Sequence, residues 1–145
     1  MNEWTLKIEE KPKAKGRVAQ KNGKRFSDPK TRIKEAIVRM TAKAAWNRPP
    51  LPKGEPVSLV CMFGFVRPAS HYMGNDPARG LRMTGKKPAP LRHTQKPDVD
   101  NLVKLIKDAL NGVVWWDDAQ VDQETAQKVW LEEGPNRTEI IVSWE

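Results

Sequence analysis

Lys96-Pro97-Asp98-Val99-Asp100-Asn101-Leu102-Val103-Lys104-Leu105-Ile106-Lys107-Asp108-Ala109-Leu110-Asn111-Gly112 carries the signal of one short, well-anchored helix. Val99, Leu102, Val103, Ile106, Ala109 and Leu110 recur at helical spacing and mark a buried face. Pro97 disfavours helix at Lys96, so the helix begins just after it, with Asp98 at the cap and Asp100 in the first turn. Asn111-Gly112 ends it through a left-handed cap. A helix with one apolar face needs a second layer to cover that face, and the flanking segments supply it.

On the C-terminal side, residues 113–116 read as a short apolar strand leading into a turn at Asp117-Asp118. Residues 121–131 and 138–144 read as two more strands, joined at Glu133-Gly134-Pro135-Asn136. On the N-terminal side, residues 56–67 are rich in Val, Leu and Phe and read as a central strand. A helix over residues 30–46 precedes it, with Asp28 as N-cap and Pro29 at its first position. Ile33, Ala36, Ile37, Met40 and Ala44 are its expected buried face, and Pro49, Pro50 and Pro52 stop it. Residues 4–8 form a short strand, and residues 11–23 a mobile basic turn or hairpin. The order β-α-β-loop-α-β-β predicts one α/β domain of the α+β kind over residues 1–145. Its small mixed sheet carries two main helices on one face.

Residues 67–96 break this rhythm. They show no hydrophobic period and hold four prolines, three glycines, both histidines and seven bases. Loops this long in a small domain are functional or disordered, and the basic content favours a mobile segment that orders on nucleic acid.

The charge of the whole chain agrees. It has 26 Lys and Arg against 18 Asp and Glu, a net charge of +8 and a pI near 9.7. Residues 11–53 carry fourteen bases and two acids, whereas residues 113–145 carry eight acids and two bases. Two separate basic segments, 11–53 and 67–96, beside an acidic site favour a polyanionic partner such as DNA. Lys13, Lys15, Arg17, Lys21, Lys24 and Arg25 are the candidates in the first basic segment; Arg67, His71, Arg79, Arg82, Lys86, Lys87, Arg92 and Lys96 are those in the loop. Cys61 is the single cysteine, which excludes an intramolecular disulfide and fits a buried inert thiol in a reducing compartment. No apolar run approaches a membrane span and no signal-peptide pattern opens the chain, so the expectation is a soluble, cytoplasmic protein with no membrane partner. The two histidines lack companions at zinc spacing.

Four acids gathered at two points of a basic chain are the main chemical clue. Each has a plain structural reading: Asp98 as a helix cap, Asp100 as a match to the helix dipole, Asp117 and Asp118 as turn residues. Taken together they suggest more. The turn at Asp117-Asp118 is expected to return beside the helix start, so Asp98, Asp100 and one acid of the doublet would offer hard oxygen ligands to Mg²⁺ or Mn²⁺. Lys104, four residues after Asp100, pairs with it or reaches a phosphate.

At these residues the chain resembles the RusA family of Holliday junction resolvases. The likeness is carried by Lys96-Pro97-Asp98-Val99-Asp100-Asn101-Leu102, Lys104, Asp108-Ala109-Leu110-Asn111-Gly112 and Trp116-Asp117-Asp118-Ala119-Gln120-Val121. Weaker likeness extends to Phe65-Val66-Arg67-Pro68-Ala69-Ser70-His71 and to the basic N-terminal turn and helix. The resemblance implies a homodimeric, Mg²⁺- or Mn²⁺-dependent endonuclease that resolves four-way or branched DNA by paired nicks, with no small-molecule organic cofactor. It puts the metal-holding catalytic acids at Asp98, Asp100 and Asp118, with Asp117 secondary, and the functional lysine at Lys104. Residues 67–96 depart from the family's shortest members, which leaves open the shape of the DNA-facing surface. Two rival expectations stand beside it: a non-catalytic branched-DNA-binding protein, and a broader flap or branch nuclease.

Overall fold

β4 (Val57–Val66) is the strand on which the rest of the protein is assembled. Val57, Leu59, Cys61, Phe63 and Phe65 alternate inward and are all buried, as period-two patterning requires of a strand with one face in a core. In the computed structural model, which describes residues 1–16, 19–26 and 28–145, four strands form one mixed sheet. β1 (Asn2–Ile8), β5 (Val121–Leu131) and β6 (Arg137–Trp144) join β4 in the order β1-β6-β4-β5. The pairs β1–β6 and β6–β4 are antiparallel; β4–β5 is parallel. Gly64 keeps this last pair close, because a Cβ there would meet the Leu131 side chain at 2.7 Å.

A small basic hairpin, β2 (Ala19–Lys21) with β3 (Lys24–Phe26), stands outside the main sheet. Two helices cover one sheet face: α1 (Pro29–Trp46) and α2 (Val99–Leu110). This is the expected α+β arrangement. Leu102, Val103, Leu105, Ile106, Ala109 and Leu110 of α2 are all buried, which confirms the expected stripe and adds Leu105 to it. At roughly 1.5–3 kcal/mol for each large side chain, this face fixes α2 on the sheet.

Three expectations are corrected. The buried face of α1 is Thr31, Val38, Ala42 and Trp46, while Ile33 and Met40 are 60% and 72% exposed. Both sets have helical spacing. Trp46 decides between them by packing edge-on against Trp4 and Trp144, with ring centroids 5.3 Å away in each case. Residues 113–116 form no strand; Trp115 makes only isolated bridges to Leu51 and Asn111.

The third correction concerns residues 67–96, which are packed at both ends rather than structureless. Three short 3-10 turns, Ala69–His71, Met73–Asn75 and Pro77–Arg79, run through the segment. His71 and His93 are buried around Trp130: His93 stacks on its ring at 4.2 Å and His71 meets it edge-on at 4.8 Å. Arg67 is buried too, donating to Glu132 Oε1 at 3.2 Å and to the Pro90 carbonyl at 2.7 Å. Among the described residues no helix is long and apolar enough to cross a membrane.

Candidate active site

Asp98 and Asp100 stand at the open end of α2. The backbone carbonyl of Asp98 accepts from Leu102 N–H at 3.1 Å, as a capping residue's should, yet its carboxylate makes no capping hydrogen bond. Both carboxylate oxygens instead accept from Lys96 Nζ at 3.2 Å. That exposed pair is worth little energetically and leaves the carboxylate available to an incoming cation. Asp100 is exposed and has no side-chain hydrogen bond or ion pair among the described residues. Lys104 is equally unengaged, so the i,i+4 pair with Asp100 is not formed and its ammonium faces solvent.

The start of α2 is held by a residue that sequence reading missed. Lys128 Nζ donates to the carbonyls of Gln95 at 2.6 Å and Pro97 at 2.9 Å, clamping the backbone just before Asp98. The only available signal was strand alternation: Lys128 falls in register with Phe63 on the helix-covered face, where an ammonium needs acceptors. Beside this point lies a cleft of about 360 Å³, lined in part by Arg92, His93, Val99, Lys128 and Trp130. Among the described residues the buried Nδ1 of His93 and Nε1 of Trp130 have no hydrogen-bond partner. Burial and then the Lys128 charge push His93 below the usual imidazole range; burial and then Arg67 do the same to His71. Both rings are therefore neutral at pH 7, consistent with their stacking in an apolar cluster.

Asp117 and Asp118 are placed differently. Asp117 Oδ1 accepts from Ala119 N–H at 3.0 Å, and Gln120 Oε1 accepts from Asp117 N–H at 3.0 Å, a reciprocal box that shapes the turn Asp118–Gln120. Asp118 Oδ1 accepts from the indole N–H of the fully buried Trp115 at 2.9 Å. The doublet thus divides its work: Asp117 builds the turn, and the half-buried Asp118 is oriented by a core tryptophan.

The expected return of this turn to the helix start does not occur within one chain. β5 is parallel to β4, so the crossover must bring the chain back to the edge where β4 begins before β5 can start. α2 makes that return and runs antiparallel to β5. Lys107, near its end, pairs with Glu124 at 3.2 Å, whereas Pro97, at its start, is held by Lys128. Asp118 precedes β5 and therefore lies beyond the C-terminal end of α2. The 12 residues of α2 span about 18 Å, and the strand from Val121 to Lys128 about 23 Å, so the two acid groups stand roughly 20 Å apart. Among the described residues no three His, Cys, Asp or Glu side chains converge closely enough for one metal ion. Asp98 and Asp100 alone are a hard oxygen pair of the kind Mg²⁺ takes together with substrate phosphate, so the first two acids fit the ion and the third, in the same chain, does not.

The expected DNA-binding residues also divide. Arg79, Lys86, Lys87, Arg92 and Lys96 are exposed, and Arg82 is half-buried. Arg67 and His71 lie buried in the Trp130 cluster rather than on the open surface. Lys15 pairs with Asp108 at 2.9 Å and with Glu35 at 3.2 Å. Burial works against its charge, but these two partners outweigh that and raise its pKa, so it serves as a structural tie between α1 and α2. Lys13 lies 4.0 Å from Asp28. Arg17 falls outside the described residues, as do the side chains of Lys21, Lys24 and Arg25.

The comparisons with known proteins match this arrangement to one family. The chain is 48% identical over 52 residues to the uncharacterized protein YqaN of Bacillus subtilis (strain 168). That match covers 36% of this chain and 35% of the relative, so only about a third of either protein is aligned. The family model described as Endodeoxyribonuclease RusA matches residues 8–143, a span that takes in β4, β5, nearly all of β6, both helices and every acid discussed above. The chain therefore belongs to the RusA endodeoxyribonuclease family.

Proposed function

We propose that the protein is a divalent-metal-dependent, structure-selective endodeoxyribonuclease that resolves four-way DNA junctions by paired symmetric nicks, acting as a homodimer. Family membership supports the nuclease class. The observation that carries the reading is the state of the α2 start: two carboxylates, one held only by an exposed lysine and one with no partner among the described residues, on a backbone clamped from the core by Lys128. Acids that served only the helix would be engaged by it.

Asp98 and Asp100 would hold Mg²⁺ or Mn²⁺, and the bound ion would supply Lewis acidity and charge neutralisation at the scissile phosphate. Lys104 lies about one helical turn beyond Asp100 on the same flank, where its ammonium stabilises charge on the same phosphate. Lys96 holds the Asp98 carboxylate in orientation, at the position where it would serve the ion. Lys86, Lys87, Arg79 and Arg92, on the exposed part of the loop, grip the neighbouring duplex arms. Anchoring the loop on Trp130 fixes where those bases sit relative to Asp98.

The test compares a synthetic four-way junction with flap and linear duplex substrates, each with Mg²⁺, with Mn²⁺ and with chelator. Preferential, symmetric, cation-dependent nicking of the junction is expected. Tight junction binding without any nicking would overturn the enzyme reading, and equal cutting of flaps and junctions would overturn the specificity.

A further inference from the structure

We infer that the exposed part of the 67–96 segment carries a second DNA site, a pocket that captures one unpaired nucleotide of a branched substrate. The inference rests on the branched-DNA reading above and adds a contact that duplex binding does not need.

The pocket lies between residues 73–74 and residues 82–87. It holds about 440 Å³, within the range of roughly 300–1,000 Å³ that suits a small ligand. Its walls are of two kinds. Met73 and Met83 line it while standing 44% and 67% exposed, and neither belongs to the core. Arg82, Lys86 and Lys87 line it as well. Gly74 brings a fourth cation. Its φ is +61°, and a Cβ there would collide with Nη1 of Arg79, so the guanidinium rests directly on the glycine. The one acid of the segment, Asp76, is engaged in capping the turn Pro77–Arg79, where it accepts from Ala78 N–H at 3.0 Å.

A thioether packs well against an aromatic face and, being flexible, accommodates any of the bases. The four cations answer the phosphates on either side. Apolar surface beside concentrated positive charge suits an unstacked nucleotide; in intact duplex the base faces are covered by their neighbours. A branched substrate presents such nucleotides where its arms meet, and taking a base already unpaired costs least.

The pocket is braced from behind. Tyr72 and Leu81 form an antiparallel bridge, Met73 N–H donates to the Gly80 carbonyl at 3.0 Å, and Arg82 N–H donates to the His71 carbonyl at 2.8 Å. This short ladder holds the two methionine-bearing limbs at one spacing. The ladder is fixed to the domain in turn: the buried Tyr72 donates its hydroxyl to Glu132 Oε2 at 3.2 Å, and His71 packs on Trp130. Arg82 Nη2 donates to the Tyr72 carbonyl at 3.4 Å, while its Nε is buried with no partner among the described residues. An anion drawn to this wall offsets that unsatisfied donor.

The test places 2-aminopurine, which brightens when unstacked, singly at each position around the branch point of a four-way junction. Binding is followed in chelator, so that no strand is cut. Wild type is expected to brighten the probe at one or more branch positions and nowhere in a linear duplex of the same sequence. The double variant Met73→Ala, Met83→Ala, altered only at exposed positions, is expected to lose the brightening. It should bind the junction roughly fivefold more weakly, the low end of what stacking contributes per base, with linear-duplex affinity unchanged. Lys86→Ala with Lys87→Ala should instead weaken junction and duplex alike and lower the salt dependence of both. Brightening that persists in the methionine variant, or a wild type that binds junctions tightly without brightening any position, would overturn the inference. So would an equal loss of duplex affinity in the methionine variant. A wild type that binds junctions no better than duplex would instead overturn the junction-selective reading above.

Discussion

The two ends of α2 carry the same residue type in opposite conditions. At its start, Asp98 and Asp100 are exposed, contribute no capping hydrogen bond and rest on a backbone tied from beneath by Lys128. Past its end, Asp117 and Asp118 are built into the protein, one as the organiser of a turn and the other as the acceptor for a buried indole. The difference separates two ways of preparing a carboxylate for chemistry. One leaves the side chain unengaged and fixes the main chain; the other fixes the side chain itself. Substitutions at the two ends should therefore fail differently, and that contrast can be measured.

The largest effect is expected at the start. Asp100→Ala should lower junction cutting by about 10²–10³-fold, the scale on which removal of one charge-stabilising group acts. Its thermal stability should stay within about 0.5 kcal/mol of wild type, as for an exposed surface position. Parallel kinetics and melting measurements check both halves, and a large stability loss would erase the contrast.

Past the end of α2 the alanine and asparagine variants should part company. Asp118→Ala strips the Trp115 indole of its acceptor, and a buried unsatisfied donor costs about 1–3 kcal/mol; Asp118→Asn keeps an acceptor and should be nearly as stable as wild type. Both should lose activity. Equal melting temperatures for the two would show that the Trp115 contact is not what orients Asp118.

Lys128→Met probes the clamp, removing donors to the Gln95 and Pro97 carbonyls while keeping the bulk of the stem. Cutting should fall roughly tenfold, as for a positioning residue whose loss displaces reacting groups. Saturating Mg²⁺ should recover part of it, whereas no cation should rescue Asp100→Ala. A response to Mg²⁺ identical in the two variants would deny Lys128 its positioning role.

The smallest effect concerns pH. His71 and His93 have folded-state pKa values lowered below that of a free imidazole, so between those values and about 6.5 the unfolded chain binds more protons than the folded one. Stability from this source is therefore complete above about pH 6.5 and is lost as pH falls through the folded values. Denaturant melts at pH 7.5 and pH 5 should differ in that direction, and His93→Phe should flatten the difference. A protein more stable at pH 5 would refute the assignment of both rings as neutral.

How much of this was readable in the sequence depended on whether local pattern or tertiary geometry decided the outcome. α2 was legible because its apolar residues gather on one face, and only one orientation buries them. α1 was not, because Val38, Ala42 and Trp46 compete with Ile33, Ile37 and Met40, both at helical spacing; the choice belongs to Trp4 and Trp144, far away in the chain. The identities of the site acids could be proposed from their motif, but their separation could not, since it follows from the parallel pairing of β5 with β4. The packing of His71, His93 and Arg67 on Trp130 left no periodic trace at all, so a segment with a small core of its own read as an open loop.

Cys61 has a practical consequence. It lies under the sheet at 1% exposure, and burial, with the Glu124 charge, pushes its thiol up to about 12. A thiol held protonated and out of solvent does not react at neutral pH, and no other cysteine competes with it. Any cysteine introduced on the surface would thus be the sole target for maleimide dyes or spin labels, giving a wild-type background already suited to site-specific labelling.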